Sequence, residues 1–142
     1  MSKSNTFEND LVGLIFNATP IANLADNNLL APATSLYVAL HTTDPGEAGN
    51  QATNEAAYTG YARVAVARDA TGFTVAGNTV NLTSGINFPT GTGGSGTATH
   101  FSVGMAATGA GKMLYSGTVS PNIVLGNGIT PSLTSASSIT ED

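Results

Sequence analysis

Apolar residues near the start of the chain recur at the spacing of one helical face. They are Phe7, Leu11, Leu14 and Ile15. Asn5 stands three residues before Glu8, which is the spacing of a capping box, and Asn17 and Pro20 are typical stop signals. The pattern predicts a helix from about Phe7 to Asn17.

The apolar face of this helix is too hydrophobic to remain solvated, so it has to pack against something. Two possibilities stay open. The face packs on the β-domain of its own chain, or it attaches to a neighbouring copy or another protein of an assembly. Phe7, Leu11, Leu14 and Ile15 are therefore the candidate attachment or packing face.

From Ser35 onward the period of the pattern changes to two, which is typical of β-strands. Strand candidates follow one another about every ten residues, with turn signals between them: SLYVALHT, YARVAVARD, FTV, NTVNLT, GINF, TATHFSVGMA, KMLYSGTV and SSIT. The pattern predicts a mainly β chain, an antiparallel β-sandwich preceded by one α-helix. A jelly roll is favoured over an immunoglobulin-like sandwich because the chain contains neither Trp nor Cys.

The predicted domains are a helix and arm at 1–34 and the sandwich at 35–142. The inward positions of the strands predict a core, which comprises Leu36, Val38, Leu40, Val64, Val66, Phe101, Val103, Leu114 and Ile139.

Charge is sparse in this sequence. Charged residues make up 9% of the chain, against about 25% in an average soluble domain. The net charge is -5 with only four Lys and Arg, so no basic stripe exists for nucleic acid. The apolar runs are too short to cross a bilayer, and the N-terminus lacks the apolar region of a signal peptide. A neutral polar surface has a low desolvation cost when another protein covers it, which favours a subunit of an assembly.

The stretch LHTTDPGEAGNQ, residues 40–51, resembles the edge of an active site. A catalytic interpretation makes His41 a base oriented by Asp44, with Glu47 as an acid or metal ligand. It lacks a nucleophile, whereas Asp-Pro-Gly is turn chemistry. We therefore expect Asp44, Pro45 and Gly46 to form a structural turn and His41 to be the last outward residue of a strand.

The other candidate motifs fail on spacing. ATGAGKM, residues 107–113, departs from the Walker pattern on both sides of its Gly-Lys pair, and GTGGSG at 91–96 continues as a strand rather than a helix. The pool of zinc ligands has no metal-binding spacing, and calcium ligation by Asp44, Glu47 and Glu55 is a minor alternative. The prediction is no catalytic residue, no metal and no cofactor.

Five segments taken together and in order resemble a family of small tailed-bacteriophage virion proteins that are often labelled tail fibre proteins. The segments are SLYVALHTTDPGEAGNQ, YTGYARVAVARD, INFPT, GTATHFSVGMAATGAGKMLYSGTV and SSITED. The resemblance extends from about Phe7 to Asp142 and implies a non-enzymatic structural role in the virion.

Two roles are compatible with this resemblance. The first is a jelly-roll cement or decoration protein that is made in the host cytoplasm and bridges major capsid subunits on the outer surface of the head. It would act with other copies of itself as a homo-oligomer, and it would bind neither nucleic acid nor membrane. The cement role is favoured because the chain has no heptads, repeats or long shaft. The alternative is a tail or tail-fibre component that acts with other tail proteins in attachment to the host.

Overall fold

A computed structural model of the chain describes residues 4–21, 25 and 32–141. These residues form one helix, α1 (Asn5–Asn17), and nine strands. The strands are β1 (Ser35–His41), β2 (Val64–Ala67), β3 (Phe73–Ala76), β4 (Thr79–Leu82), β5 (Ile86–Asn87), β6 (Ser95–Gly104), β7 (Met113–Gly126), β8 (Ser132–Leu133) and β9 (Ser138–Thr140). In this part of the chain, no helix combines the length and hydropathy needed to cross a membrane.

The strands form three sheets. The largest has the order β2-β1-β6-β7, a second has the order β3-β4-β9, and β5 pairs with β8. The pairings β1–β6, β6–β7, β3–β4, β4–β9 and β5–β8 are all antiparallel. The predicted class, mainly β with antiparallel sheets and one N-terminal helix, is confirmed. The jelly-roll arrangement stays a prediction.

The chain divides into two compact units. The first comprises Met1–Ser35, Val66–Gly85 and Thr134–Asp142, and the second comprises Leu36–Ala65 and Ile86–Leu133. The backbone therefore enters the second unit within β1 and returns to the first within β2. The predicted domains at 1–34 and 35–142 stay a prediction.

Helix α1, in the first unit, begins two residues before the predicted start at Phe7 and ends at the predicted Asn17. Its N-cap is Ser4, whose side chain accepts a hydrogen bond from the Phe7 backbone N–H, so the prediction of Asn5 as the cap was wrong. Ser is as good a cap as Asn, and a shift of one residue is below the resolution of periodicity. Ala18 ends the helix in a left-handed conformation with φ 54°.

The buried face of α1 is formed by Glu8, Val12 and Phe16, at i, i+4 and i+8. The Phe16 ring meets the Phe73 ring of β3 edge to face, with the ring centroids 4.9 Å apart. The residues of the candidate attachment or packing face lie beside this buried face. Phe7 is 38% exposed, and Leu11, Leu14 and Ile15 are half-buried. As an attachment surface, these four residues stay a prediction.

The Arg68 side chain holds the C-terminal end of α1. Its Nε donates to the Ile15 carbonyl at 2.5 Å and its Nη2 donates to the Leu14 carbonyl. Its Nη1 donates to the carbonyl of Ala33 at 3.2 Å. A cation at this position satisfies carbonyls that the helix leaves free and complements the helix dipole. Arg68 thus joins α1 to the segment before β1 through backbone acceptors.

Six of the nine predicted core residues are buried, namely Leu36, Val38, Leu40, Val66, Phe101 and Val103. The other three, Val64, Leu114 and Ile139, are half-buried, so the prediction was too strong for them. They lie on β2, β7 and β9, which are outer strands of their sheets. An outer strand has a neighbour on one side only, and this reduces the burial of its side chains.

Two features of the strands were missed in the sequence. Strand β7 continues to Gly126, beyond the predicted segment KMLYSGTV, and β8 was not predicted. The register of β6 and β7 shifts where Ala98 faces Ile123 and His100 faces Thr118. The extra residues on β7 form a bulge that interrupts the alternation on which the prediction depended.

We predict that Arg68→Met lowers the free energy of unfolding by about 2–3 kcal/mol, because three partly buried backbone carbonyls lose the hydrogen bonds from a charged group. Urea unfolding at pH 7 measures this change. Lys112→Met is the matched control, since Lys112 is exposed, and we expect it to change stability by less than about 0.5 kcal/mol. Equal effects of the two substitutions would contradict the role of Arg68.

Candidate functional site

His41, the last residue of β1, is completely buried. Its Nδ1 lies 2.8 Å from the Thr53 carbonyl oxygen and its Nε2 lies 2.7 Å from Ser102 Oγ on β6. A carbonyl can only accept, so Nδ1 carries the proton, and Nε2 of the neutral ring accepts from the Ser102 hydroxyl. The prediction that His41 is an outward residue was wrong.

The reason is the path of the chain after β1. The segment that follows His41 returns along β1, where Thr42 N donates to Asn54 O and Ala56 N donates to Leu40 O, both at 2.8 Å. These bonds place residues 54–56 beside β1 in the plane of the sheet, and the carbonyl of Thr53 in the same segment contacts the His41 ring. The alternation of β1 does not by itself predict this contact.

The remaining residues of the predicted catalytic group lie apart from the hydrogen bonds of His41. Asp44 Oδ1 accepts from Gly46 N at 2.8 Å, and Gly46 has a φ of 69°, which favours glycine. Pro45 is buried, whereas Asp44 and Glu47 are exposed. The hydrogen bonds of His41 thus go to Thr53 and Ser102, and Asp44 closes a local turn.

Arg63 and Glu55 form a bidentate ion pair within the second unit. Arg63 Nε donates to Glu55 Oε1 at 2.7 Å, and Nη2 donates to Oε2 at 2.8 Å. The side chain of Arg63 is 2% exposed and that of Glu55 is 18% exposed. The hydrogen bonds that Arg63 donates to Glu55 raise the pKa of Arg63, and burial lowers it in part. The minor alternative from the sequence made Glu55 a calcium ligand. In the structure the Glu55 carboxylate accepts hydrogen bonds from Arg63.

Tyr61 connects this ion pair to β1 of the four-stranded sheet. Its hydroxyl donates to Glu55 Oε1 at 2.9 Å and accepts from the backbone N–H of Leu40 at 3.1 Å. Burial raises the pKa of Tyr61, so the phenol remains protonated and donating. The Tyr61 ring also stacks on Phe88 with centroids 6.3 Å apart.

Buried side chains form hydrogen bonds with the backbone of the loop between β6 and β7, residues Met105–Lys112. Arg63 Nη1 donates to Ala106 O at 2.8 Å, and Nη2 donates to Gly109 O at 2.7 Å. Gln51, which is fully buried, accepts from Ala106 N at 3.0 Å and donates to Tyr37 O at 3.1 Å. We call Gln51, Glu55, Tyr61 and Arg63 the Arg63 cluster.

Two glycines make room for Gln51. A Cβ on Gly104 would lie 2.2 Å from Gln51 Cδ, and a Cβ on Gly111 would lie 2.5 Å from its Oε1. Real Cβ atoms do not approach so closely. Gly104 is the last residue of β6, and Gly111 belongs to the segment that resembles a phosphate-binding loop. Both positions need glycine because the Gln51 side-chain amide packs closely against them.

The glycine-rich segment GTGGSG is tied to neighbouring loops of the second unit. Gly93 O accepts from Thr59 N at 3.0 Å, and Gly91 N donates to Ile129 O at 2.9 Å. Strand β6 begins within it, at Ser95, as its continuation in the sequence predicts.

The sequence reasoning missed Gln51, Arg63 and Ser102 as structural residues. Glu55 and Arg63 are eight residues apart in the sequence. Their opposite charges were the signal from which the ion pair could have been predicted. Gln51 and Ser102 have no such signal, because their partners lie far along the chain. Within the described ranges, no three His, Asp or Glu side chains are grouped as metal ligands would be.

Residues 2–140 match the family model described as "Podophage GP4 fiber I protein gp80". The chain belongs to this family, a family of phage virion structural proteins of the tail-fibre type. This confirms the resemblance found in the sequence. The search of curated proteins finds no match to the chain.

We predict that acid destabilises the protein through His41. Burial lowers the pKa of His41 below 6.5, against the opposing hydrogen bond to Thr53 and the charge of Glu55. The unfolded chain therefore binds the proton first, so stability is complete above about pH 6.5 and decreases as the pH falls towards the folded pKa, by at most about 1.4 kcal/mol per pH unit.

Urea unfolding between pH 8 and pH 5 measures this dependence. His41→Gln removes the titrating group, and we expect its stability to decrease less between pH 7 and pH 5 than that of the wild type. A steeper decrease in the variant would contradict the lowered pKa.

We predict that Glu55→Ala lowers the free energy of unfolding by about 3 kcal/mol, because it leaves the Arg63 guanidinium buried without its carboxylate. Glu47→Ala is the control, since Glu47 is exposed, and we expect a change below about 0.5 kcal/mol. The double variant Glu55→Met/Arg63→Met should be more stable than Glu55→Ala, because no unpaired charge remains. A double variant less stable than the single one would contradict this account.

Proposed function

We propose that this protein is a non-enzymatic structural subunit of a fibre on the virion of a short-tailed phage. The match of residues 2–140 to a podophage fibre family carries the proposal. The fibre role was the alternative in the sequence interpretation, and the family description now favours it over the cement role.

The state of the buried polar groups supports a structural role. His41 and Ser102 make the hydrogen bond of a catalytic base and nucleophile, yet both are 0% exposed. A nucleophile has to reach a substrate, and a sealed hydroxyl does not. The pair instead joins β1 to β6. Arg63 likewise donates its hydrogen bonds to Glu55 and to backbone carbonyls, and Glu55 accepts from Arg63 and Tyr61.

The surface supports assembly with other proteins. From 70 to 140 the chain carries Lys112 as its only Lys, Arg, Asp or Glu. Covering such a surface desolvates few charges, so a partner protein binds without a large electrostatic cost. Other virion proteins are the expected partners.

A cement role on the outer head surface is the second candidate. The same scarcity of charge favours it, because a cement protein also buries its surface against subunits. In that case the major capsid protein is the partner, and the candidate attachment face on α1 would contact the shell.

Virions that lack this protein test the two roles. For the fibre role, we expect difference density on a fibre at the tail, adsorption to host cells reduced at least tenfold, and DNA release at the wild-type temperature. Difference density on the head, together with DNA release at a lower temperature and normal adsorption, would contradict the fibre role and support cement. Complementation with the wild-type chain is the control.

A further inference from the structure

We propose that Ser102 cleaves the peptide bond that precedes it, between Phe101 and Ser102, in an intramolecular reaction with His41 as the general base. The reaction occurs once in each chain and acts on no other molecule. It goes beyond the fibre role and does not depend on it. Neither the fold nor the family match assigns a reaction to this pair of side chains.

Ser102, His41 and the Thr53 carbonyl are arranged as a nucleophile, a base and a group that orients the base. Ser102 Oγ lies 2.7 Å from His41 Nε2, and the Thr53 carbonyl oxygen lies 2.8 Å from Nδ1. Since Nδ1 carries the proton, the lone pair of Nε2 faces the hydroxyl. Burial lowers the pKa of His41, so this lone pair stays available at neutral pH. Such an arrangement activates a serine hydroxyl.

The burial of the pair limits it to a substrate within its own chain. Ser102 and His41 are both 0% exposed, so no other molecule reaches the hydroxyl. The carbonyl carbon of Phe101 is bonded to the Ser102 nitrogen, and attack on it by Ser102 Oγ closes a small ring. Reactions within one molecule have a high effective concentration. The Phe101–Ser102 bond is therefore the substrate within reach of the sealed hydroxyl.

The ladder directs the Phe101 carbonyl towards a backbone donor. Leu40 faces Phe101 from β1, donates its N–H to Tyr61 Oη and accepts at its carbonyl from Ala56 N. Both polar groups of Leu40 thus point away from β6. In an antiparallel ladder this is a pair without mutual hydrogen bonds, so the polar groups of Phe101 are directed to β7, where Gly117 faces it. The Gly117 N–H is placed to stabilise negative charge on the Phe101 oxygen.

The pairing of β6 with β7 is irregular on both sides of this bond. The register shifts between Ala98 and His100, and again between Val103 and Gly104. Bulges are frequent next to active sites, where they change the direction of a side chain. The Phe101–Ser102 bond lies in the short regular stretch between the two shifts.

The atoms balance with water as the one added reactant. Ser102 Oγ bonds to the Phe101 carbonyl carbon while its proton passes to His41 Nε2. The bond from this carbon to the Ser102 nitrogen then breaks, and the nitrogen takes the proton from His41. The product is an ester of Phe101 on the Ser102 side chain, with a free amine at Ser102. Water hydrolyses the ester to the Phe101 carboxylate and restores the hydroxyl, and because the site is sealed, this step waits for local opening of the sheet.

Denaturing mass spectrometry of the purified full chain, incubated at neutral pH, tests the cleavage. We expect the intact mass to decrease while two fragments appear, residues 1–101 and residues 102–142. Hydroxylamine attacks esters in preference to amides, so it should raise the yield at least threefold and leave a hydroxamate on Phe101. The rate constant should not depend on protein concentration, because the reaction is intramolecular. A chain that stays intact in hydroxylamine would overturn the proposal and leave the pair a structural role only.

Substitutions test the two assigned roles. Ser102→Ala should abolish cleavage, and Ser116→Ala is its matched control, since Ser116 is exposed and faces Ser102 from β7. His41→Gln should lower the rate at least tenfold, because a general base contributes about 10²–10⁴-fold. His100→Gln is its control, since His100 faces His41 across the ladder but contacts Thr99. We expect both controls to cleave within twofold of the wild type. Cleavage in Ser102→Ala, or equal rates in the two histidine variants, would overturn the assignment.

Ser102→Cys keeps the reaction testable if the alanine or glutamine variant does not fold. A thiol in place of the hydroxyl yields a thioester, which dithiothreitol cleaves, so we expect thiol-dependent cleavage after Phe101. A hydrogen bond that is only structural predicts no such cleavage, and its absence in a folded Ser102→Cys chain would overturn the proposal. The fibre role stands in either case, because it rests on the family match of residues 2–140.

Discussion

The bidentate ion pair between Arg63 and Glu55 is the contact that joins the segment after β1 to the loop between β6 and β7. One guanidinium reaches the carboxylate of Glu55 and the carbonyls of Ala106 and Gly109, so a single side chain fixes two separate loops. Tyr61 adds a link from Glu55 to the backbone of β1. Removing the charge of one partner alone would leave the other buried, which makes the arrangement all-or-none.

Two of the cations in this protein serve its internal architecture. Arg63 and Arg68, two of the four cations, direct their hydrogen bonds to a buried carboxylate or to backbone carbonyls. Burial lowers the pKa of Arg68, yet a guanidinium remains charged at any physiological pH. Among the described residues the exposed charged side chains are few, namely Asp10, Asp44, Glu47, Asp69 and Lys112. A surface with few charges over a firmly connected interior is suited to a subunit that other proteins cover.

The predictions failed where neighbours along the chain say little about burial. His41 fits the outward phase of β1, but it is buried, and its ring contacts Thr53 on the segment that returns beside β1 and Ser102 on β6. On α1, the buried Val12 and Phe16 were left out of the predicted face, whose role as an attachment or packing face stays a prediction. The strand β7 was cut short because its bulge breaks the alternation that marks a strand.

The sequence by itself determined the helix and its end at Asn17, the antiparallel β class, most of the core and the family. These follow from local periodicity, turn chemistry and the order of motifs, all of which lie in short stretches of chain. Only the tertiary structure decided that His41 meets Ser102, 61 residues away, and that Arg63 supports Gly109, 46 residues away. Such contacts depend on which strands become neighbours and on which loops cover them, and no local pattern encodes that choice.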